Sequence, residues 1–163
     1  MSVRHLRIDN RLVHGQVVVS WLQAERADTI LVANDVIAGD EFQKTMLMAV
    51  KPPSVRELIL SIEDALAYVK DPSHADEQIF VLVKVPADAL RLHQGGIGVQ
   101  VMNVGNMAFA AGSKRVTRTV FCTDQDVAAF KALSEAGVEL TARMMPTDRR
   151  NDFMQLLREA KLI

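Results

Sequence analysis

A single cysteine, Cys122, stands in this chain of 163 residues. One thiol excludes an internal disulfide framework and any metal site built on several thiolates. Aromatic residues make up only 5%, with one Trp and one Tyr, so the core must be assembled from Val, Leu, Ile, Ala and Met. No apolar run approaches the roughly 18 residues that span a bilayer. The opening MSVRHLRIDNR is polar and lacks the apolar stretch of a secretory signal, so a cytoplasmic chain is expected. Charge of one sign is missing too. Nineteen Lys and Arg face twenty Asp and Glu, for a net charge of −1, and no block of five basic residues occurs. That balance argues against nucleic acid or an anionic membrane as the main partner. Neither GxxxxGK[ST] nor GxGxxG appears, so no bound nucleotide is indicated. HxH and HExxH spacings are also absent, so neither a metal nor another cofactor is expected.

What is present is apolar alternation. Hydrophobic residues account for 49% of the chain and charged residues for 24%, enough for one sizeable core. Short apolar runs at 3–8, 29–33, 55–60, 78–85, 99–104, 115–121 and 138–144 read as strands. QIFVLV, nearly continuous, suits a parallel strand covered on both faces, whereas VTRTV alternates and suits an edge. Helical spacing fills the gaps at 15–26, 39–50, 62–70, 87–94, 124–136 and 148–161. Pro52-Pro53, Gly95-Gly96 and Gly137 stop helices; Ser61 and the run from Thr123 to Asp126 start them. The alternation predicts an α/β fold: a single doubly wound domain over 1–163, with a mainly parallel sheet of six or seven strands and helices on both faces. Such sheets bind ligands beyond the C-terminal ends of their strands.

The first of those ends carries RIDNRLVHGQV, residues 7–17. His14 precedes Gly15 at the entrance to the first predicted helix, where free backbone amides attract anions. Gly15 lets a bulky anion approach the backbone, and Arg11 offers a permanently charged fork suited to phosphoryl oxygens. An imidazole there can act as base, metal ligand or nucleophile. Loop histidines and arginines are also common on surfaces, so local chemistry reaches an anion site with a reactive histidine and stops there. Asn34 and Asp35 end the second predicted strand and are candidates for facing the site, with helix capping as the rival role. Asn103, Gly105 and Asn106, in NVGNM, are candidates for lining the same crevice, with a tight turn as the rival. Trp21 reads as core and Cys122 as an inert buried thiol; His5, His74 and His93 read as structural or surface residues.

The ordered run RIDNRLVHGQV resembles the signature R-I-D-D/E/N-R-L-I/V-H-G-Q-V of IIB components of the mannose–fructose–sorbose family of the bacterial sugar phosphotransferase system. VANDVIAGD (32–40), GGIGVQVMNVGNMAF (95–109) and MMPTD (144–148) extend the resemblance over nearly the whole chain. The resemblance implies that His14 accepts a phosphoryl group from a phosphohistidine on a IIA partner and passes it to a sugar, with Nδ1 as the expected phosphorylated nitrogen. It implies that Arg11 stabilises the phosphoryl oxygens, and that IIC and IID membrane components take part. Asp9, Asn10, Gly15 and Gln16 fall on motif positions, with loop bracing as an equal role for Asp9 and Gln16. Asn10 departs from the acidic residue of many relatives and removes one negative charge. NVGNM with RIDNRLVHGQV resembles the N-acetylgalactosamine or galactosamine branch more than the mannose branch; mannose, fructose and sorbose stay open. Two other readings of the residues remain at this point: a small hydrolase or isomerase of a phosphorylated metabolite, and a non-catalytic anion-binding module. Homodimerisation also stays open, since no interface is legible.

Overall fold

The computed structural model describes residues 3–163, so residues 1 and 2 of the expected 1–163 domain lie outside the described residues. The chain runs β1 (Val3–Asp9), α1 (Gly15–Glu25), β2 (Thr29–Ala33), α2 (Asp35–Ala38), α3 (Glu41–Val50), β3 (Arg56–Leu60) and α4 (Ile62–Lys70). It continues through β4 (Ile79–Val83), α5 (Pro86–Gln94), β5 (Val101–Asn106), β6 (Lys114–Arg115), β7 (Phe121–Cys122), α6 (Asp124–Glu135), β8 (Glu139–Ala142), β9 (Asn151–Asp152) and α7 (Phe153–Glu159). Seven strands form one sheet in the order β3-β2-β4-β1-β5-β8-β9. Every pairing is parallel except that of β9 with β8. The expected α/β fold with a mainly parallel sheet is therefore present.

Period-two alternation decides what each face carries. Leu6 and Ile8 of β1, Val81 of β4, and Met102 and Val104 of β5 pack under α4, α5, α6 and α7 in the larger core. Ile30, Val32, Phe80 and Leu82 face the other way, against Val18, Trp21 and Leu22 of α1. On that second face the row continues into polar residues. His5, Arg7 and Asp9 of β1, Asn103 of β5 and Thr141 of β8 are all buried. Trp21 is core as expected, and its indole Nε1 donates to the Met144 carbonyl at 2.8 Å. Cys122 is also buried, and its thiol is pushed up to about 12 by burial and then by Asp126.

Helix boundaries follow their caps. Ser61 accepts from the Asp64 amide, and Thr123 with Asp126 forms a reciprocal capping box. Two expectations need correction. Residues 115–121 are not a strand: Val116 and Thr117 both donate their amides to the Val120 carbonyl, closing a turn between β6 and β7, which pair outside the main sheet. The alternation of VTRTV belongs to a hairpin tip. The helix expected at 39–50 is α3, capped by Asp40, and the short α2 before it, capped by Asn34, was not expected. The helix expected from 148 starts at Phe153; Asp148 closes a turn onto the Met145 amide, Asn151 and Asp152 pair with β8, and Asp152 is the cap.

His5 is sandwiched between Trp21 (ring centroids 4.5 Å apart) and Phe80 (5.3 Å). Its pKa is driven down to about 3, chiefly by burial and then by Arg7 and Arg143. The unfolded chain therefore binds a proton near pH 6.5 that the folded chain refuses until about pH 3, so stability from this group falls as pH falls through that window. The expected slope is about 1.4 kcal/mol per pH unit in mid-window. His5→Phe, which preserves the stack, should flatten the acid limb by that amount in denaturant titrations between pH 7 and pH 4; an unaltered slope would assign the acid sensitivity elsewhere.

Candidate active site

β1 and β5 are neighbours, and the chain leaves them in opposite directions, towards β2 and towards β8. This switch point is where open α/β sheets hold their ligands. After Asp9 the chain turns sharply: the Leu12 amide donates to the Asp9 carbonyl at 3.0 Å, and Leu12 sits in the left-handed region at φ 57° with its side chain buried. A branched residue there costs on the order of 1–3 kcal/mol, held by the packing around it. His14 follows in extended conformation as the N-cap of α1, and its side chain makes no capping bond. The amides of Gly15, Gln16 and Val17 have no partner among the described residues, and the first turn holds no acidic residue. Gly15 has φ +41°, and a Cβ built on it meets nothing within 4 Å. The helix entrance is thus open, electropositive and uncapped.

Beneath it lies a buried carboxylate. Asp9 has no exposed side-chain surface and accepts five hydrogen bonds. Arg11 grips it in a fork, Nε to Oδ1 and Nη2 to Oδ2, both at 3.0 Å, while its backbone amide donates to Oδ1 at 3.1 Å. The Nη1 of Arg11 has no partner among the described residues, and the side chain is 37% exposed. From below, Arg7 donates Nε and Nη2 to Oδ2 at 3.3 and 3.1 Å. Its remaining donors go to Asn103 Oδ1 at 2.5 Å, the Arg143 carbonyl at 3.1 Å and the Met144 sulfur at 3.5 Å. All five N–H groups of this fully buried guanidinium are therefore used. Burial lowers the Arg7 pKa, and the adjacent Asp9 works against that shift.

The imidazole of His14 is placed by this frame. Its Nδ1 lies 2.9 Å from the Leu12 carbonyl oxygen, which can only accept, so in this arrangement Nδ1 carries the proton. Nε2 faces Asp9 Oδ2 at 3.8 Å, is buried, and has no hydrogen-bond partner. Among the described residues Asp9 is the only carboxylate within 4.0 Å of His14. The arrangement can therefore hold an anion at the helix entrance, offer it the Nη1 of Arg11, and present an imidazole whose tautomer responds to Asp9.

The other sequence candidates divide. Asn10 joins the site margin, its Oδ1 accepting from Asn106 Nδ2 at 2.6 Å and its amide donating to the Asn106 carbonyl. Gln16 is exposed, with no side-chain bond among the described residues. Asn34 and Asp35 are not brought to His14. Asn34 caps α2 and donates to Asp88; Asp35 takes the Ile62 amide and the Arg91 guanidinium, which hold its carboxyl below its ordinary range. NVGN is strand rather than turn, because β5 runs to Asn106. Asn103 and Gly105 form the seat of Arg7, and Gly105 also borders a cavity that takes in Arg143 and Met144 but not His14. The β1–β5 register pairs Ile8 with Val104 and Asp9 with Asn106, which leaves Gly105 as an extra, bulged residue. Arg7, Met144, Arg143 and Thr141 were not among the sequence candidates. The Arg7–Asp9 spacing of two residues was the legible clue, since it puts both side chains on one face of β1.

Fold and site together define a doubly wound domain with a histidine and an arginine–carboxylate cluster at a helix entrance. Residues 3–163 match the model of the sorbose-subfamily IIB component of the phosphotransferase system. The chain is 35% identical over 158 residues to the fructose-specific EIIB component of Bacillus subtilis, covering 97% of each. It is 36% identical to the mannose-specific EIIAB component of Escherichia coli, covering 96% of this chain and 49% of that one. The crystal structure of the IIB domain of the sorbose permease from Klebsiella pneumoniae superposes with a TM-score of 0.93 at 33% identity, covering 98% of both chains. The chain belongs to the sorbose-type IIB components of the sugar phosphotransferase system, a family of phosphotransferases.

A Cβ on Gly105 would stand 2.1 Å from the Cζ of Arg7. Gly105→Ala should therefore destabilise the fold by about 1–3 kcal/mol and displace the guanidinium from Asp9. Denaturant unfolding gives the first quantity, and a crystal structure of the variant gives the second; an unmoved Arg7 in a variant of wild-type stability would refute the seat.

Proposed function

We propose that the chain is the IIB phosphocarrier of a sugar-uptake system: His14 receives a phosphoryl group from a IIA phosphohistidine and delivers it to a sugar carried by IIC and IID partners. The observation that carries this reading is that the His14 imidazole and the Arg11 guanidinium share Asp9 beside the uncapped start of α1, with Nη1 of Arg11 and the first amides of the helix unbonded among the described residues. Phosphoryl transfer requires positioning and charge compensation more than covalent chemistry, and these groups supply both without a metal. Among the described residues no group of three or more His, Cys, Asp and Glu is placed to hold one.

The residues also support an order of events. The ring leaves the Leu12 carbonyl, and its proton comes to reside on Nε2, which then donates to Asp9. The lone pair of Nδ1 attacks phosphorus as the donor N–P bond breaks. The donor departs as neutral imidazole, while the positive charge of the phosphorylated His14 ring rests against Asp9. In transfer to the sugar the N–P bond breaks with the ring leaving as neutral imidazole, a sugar hydroxyl oxygen forms the new bond to phosphorus, and the hydroxyl proton passes to the product's phosphate oxygens and solvent. A hydrolase or isomerase of a phosphorylated metabolite would use His14 as base and Arg11 as the anion clamp. No observation favours that alternative or a purely non-catalytic module.

A IIA partner is consistent with the relative in which IIA and IIB are one component. No helix among the described residues is long and apolar enough to cross a membrane. Membership of the IIB family supports action at the cytoplasmic face, alongside IIC and IID. Sugar choice is assigned to those partners; the names of the relatives range over fructose, sorbose and mannose.

Incubation with phosphoenolpyruvate and the upstream carriers should label the wild-type chain with acid-labile, base-stable phosphate, seen by phosphorus NMR as an Nδ1-phosphohistidine. His14→Ala should not label, and absence of label in the wild type would end the phosphocarrier reading. Arg11→Ala should fold normally and slow transfer by about 10²–10³-fold, the usual loss for one transition-state donor. Rapid-quench measurement of phosphoryl acceptance checks this, and an unchanged rate would make Arg11 a surface residue.

A further inference from the structure

Arg7 presents a problem that its hydrogen bonds alone do not solve. It has no exposed surface and no recorded bond to His14, yet it sits on the one carboxylate that both grips Arg11 and faces the imidazole. Five bonds satisfy its donors, a β-bulge at Gly105 clears its space, and the carbonyl of Arg143 closes over it. A buried ion pair of this kind is weak support for stability, because desolvation offsets most of the attraction. Its effect on charge is larger. Asp9 alone beneath Arg11 would cancel the charge that the phosphoryl group needs, and it would also be the nearest countercharge to the ring. With Arg7 present, two guanidiniums share one carboxylate, and one positive charge is left over.

We propose that Arg7 is a positioning residue for phosphoryl transfer: it neutralises Asp9 from beneath, which keeps Arg11 a net cation facing the phosphoryl group and leaves His14 free to act as nucleophile. The inference rests on the phosphocarrier reading. The groups around the ring are few. Asp9 stands at 3.8 Å, with Arg7 and Arg11 on its two oxygens. Arg143 lies beside Arg7 from the end of β8, and His5 lies on the same face of β1. Lys84, after β4, shares a small cavity with Asn10 and with Asp126, whose carboxylate is held by Thr123, and the first turn of α1 brings no carboxylate. Among the described residues no second carboxylate lies within 4.0 Å of His14, so the balance between Arg7 and Asp9 governs what the imidazole feels.

The test is titration of His14 by nitrogen-15 NMR in the full, unphosphorylated chain, which does not depend on phosphotransfer. Arg7→Met leaves Asp9 uncompensated and should raise the His14 midpoint by about one unit. The pH profile of its phosphorylation rate should move to higher pH by the same amount. Arg7→Lys, which keeps the charge but loses the fork, should titrate like the wild type. The pair Arg7→Met/Asp9→Asn removes one charge of each sign and should also return the midpoint to within a few tenths of a unit. A purely structural role would shift none of these midpoints in folded protein, so a wild-type midpoint in folded Arg7→Met overturns the proposal. Should Arg7→Met not fold, Asp9→Asn and the pair decide: Asp9→Asn alone should lower the His14 midpoint, adding Arg7→Met should raise it back to the wild-type position, and equal midpoints in the two overturn the proposal. Failure of wild-type His14 to accept phosphate would instead strike the phosphocarrier reading and leave the titration result standing.

Discussion

Two guanidiniums and one carboxylate, Arg7, Arg11 and Asp9, share a space at the C-terminal end of β1, and much of the neighbouring chain is arranged around that meeting. Arg7 and Asp9 have no exposed surface. Burying either alone would cost several kcal/mol, and removing one partner typically costs about 3–5 kcal/mol. The fold meets that demand with backbone as well as side chains. A bulge at Gly105 opens room for the guanidinium, Asn103 turns its amide oxygen inward, and the stretch from Arg143 to Met144 folds over the polar face where a helix would otherwise lie. Trp21 fastens that stretch through its indole N–H to the Met144 carbonyl. One buried ion pair thus fixes choices on β1, β5, α1 and the chain after β8.

The His14 loop is held in two ways. Leu12 is forced into a left-handed conformation, which turns its carbonyl towards Nδ1, while Asp9 fixes the loop from the other side through the backbone amide of Arg11. An extended residue at the helix start and a glycine at positive φ leave the entrance clear. Rigid positioning of this sort suits a group that must meet another protein's phosphohistidine repeatedly, since each meeting then requires little reordering.

Much of this was legible from residue types. The parallel order was carried by runs such as IFVLV, and the placement of His14 before Gly15 announced a helix entrance. Trp21 reads as core from its helical spacing, and the structure agrees. The misreadings share one cause: tertiary pairing outvoted local pattern. VTRTV has strand alternation but lies at a hairpin tip, and NVGN has turn composition but forms strand because Arg7 needs both the glycine and the asparagine. Asn34 and Asp35 looked like site residues because they end a strand, yet local caps and Arg91 claim them. Periodicity says which face a residue takes; it does not say which distant residue must be accommodated there. Arg7 was missed for that reason, since a charged residue inside an apolar strand gains meaning only once its seat is known.

A relay must hold its phosphoryl group without trapping it. An arginine free in solvent-poor surroundings would bind a phosphoryl dianion strongly and slow its departure. An arginine fully cancelled by its own carboxylate would not draw the dianion at all. The shared carboxylate gives Arg11 an intermediate strength: it is braced by Asp9 on two donors and keeps one terminal nitrogen open. The same carboxylate faces the ring, so formation of a positive phosphorylated imidazole is answered by a negative charge already in place. Arg7 prevents that charge from being too large. On this argument the buried pair contributes little to folding stability, and its place in the strand follows from the charge that the bound phosphoryl group must meet.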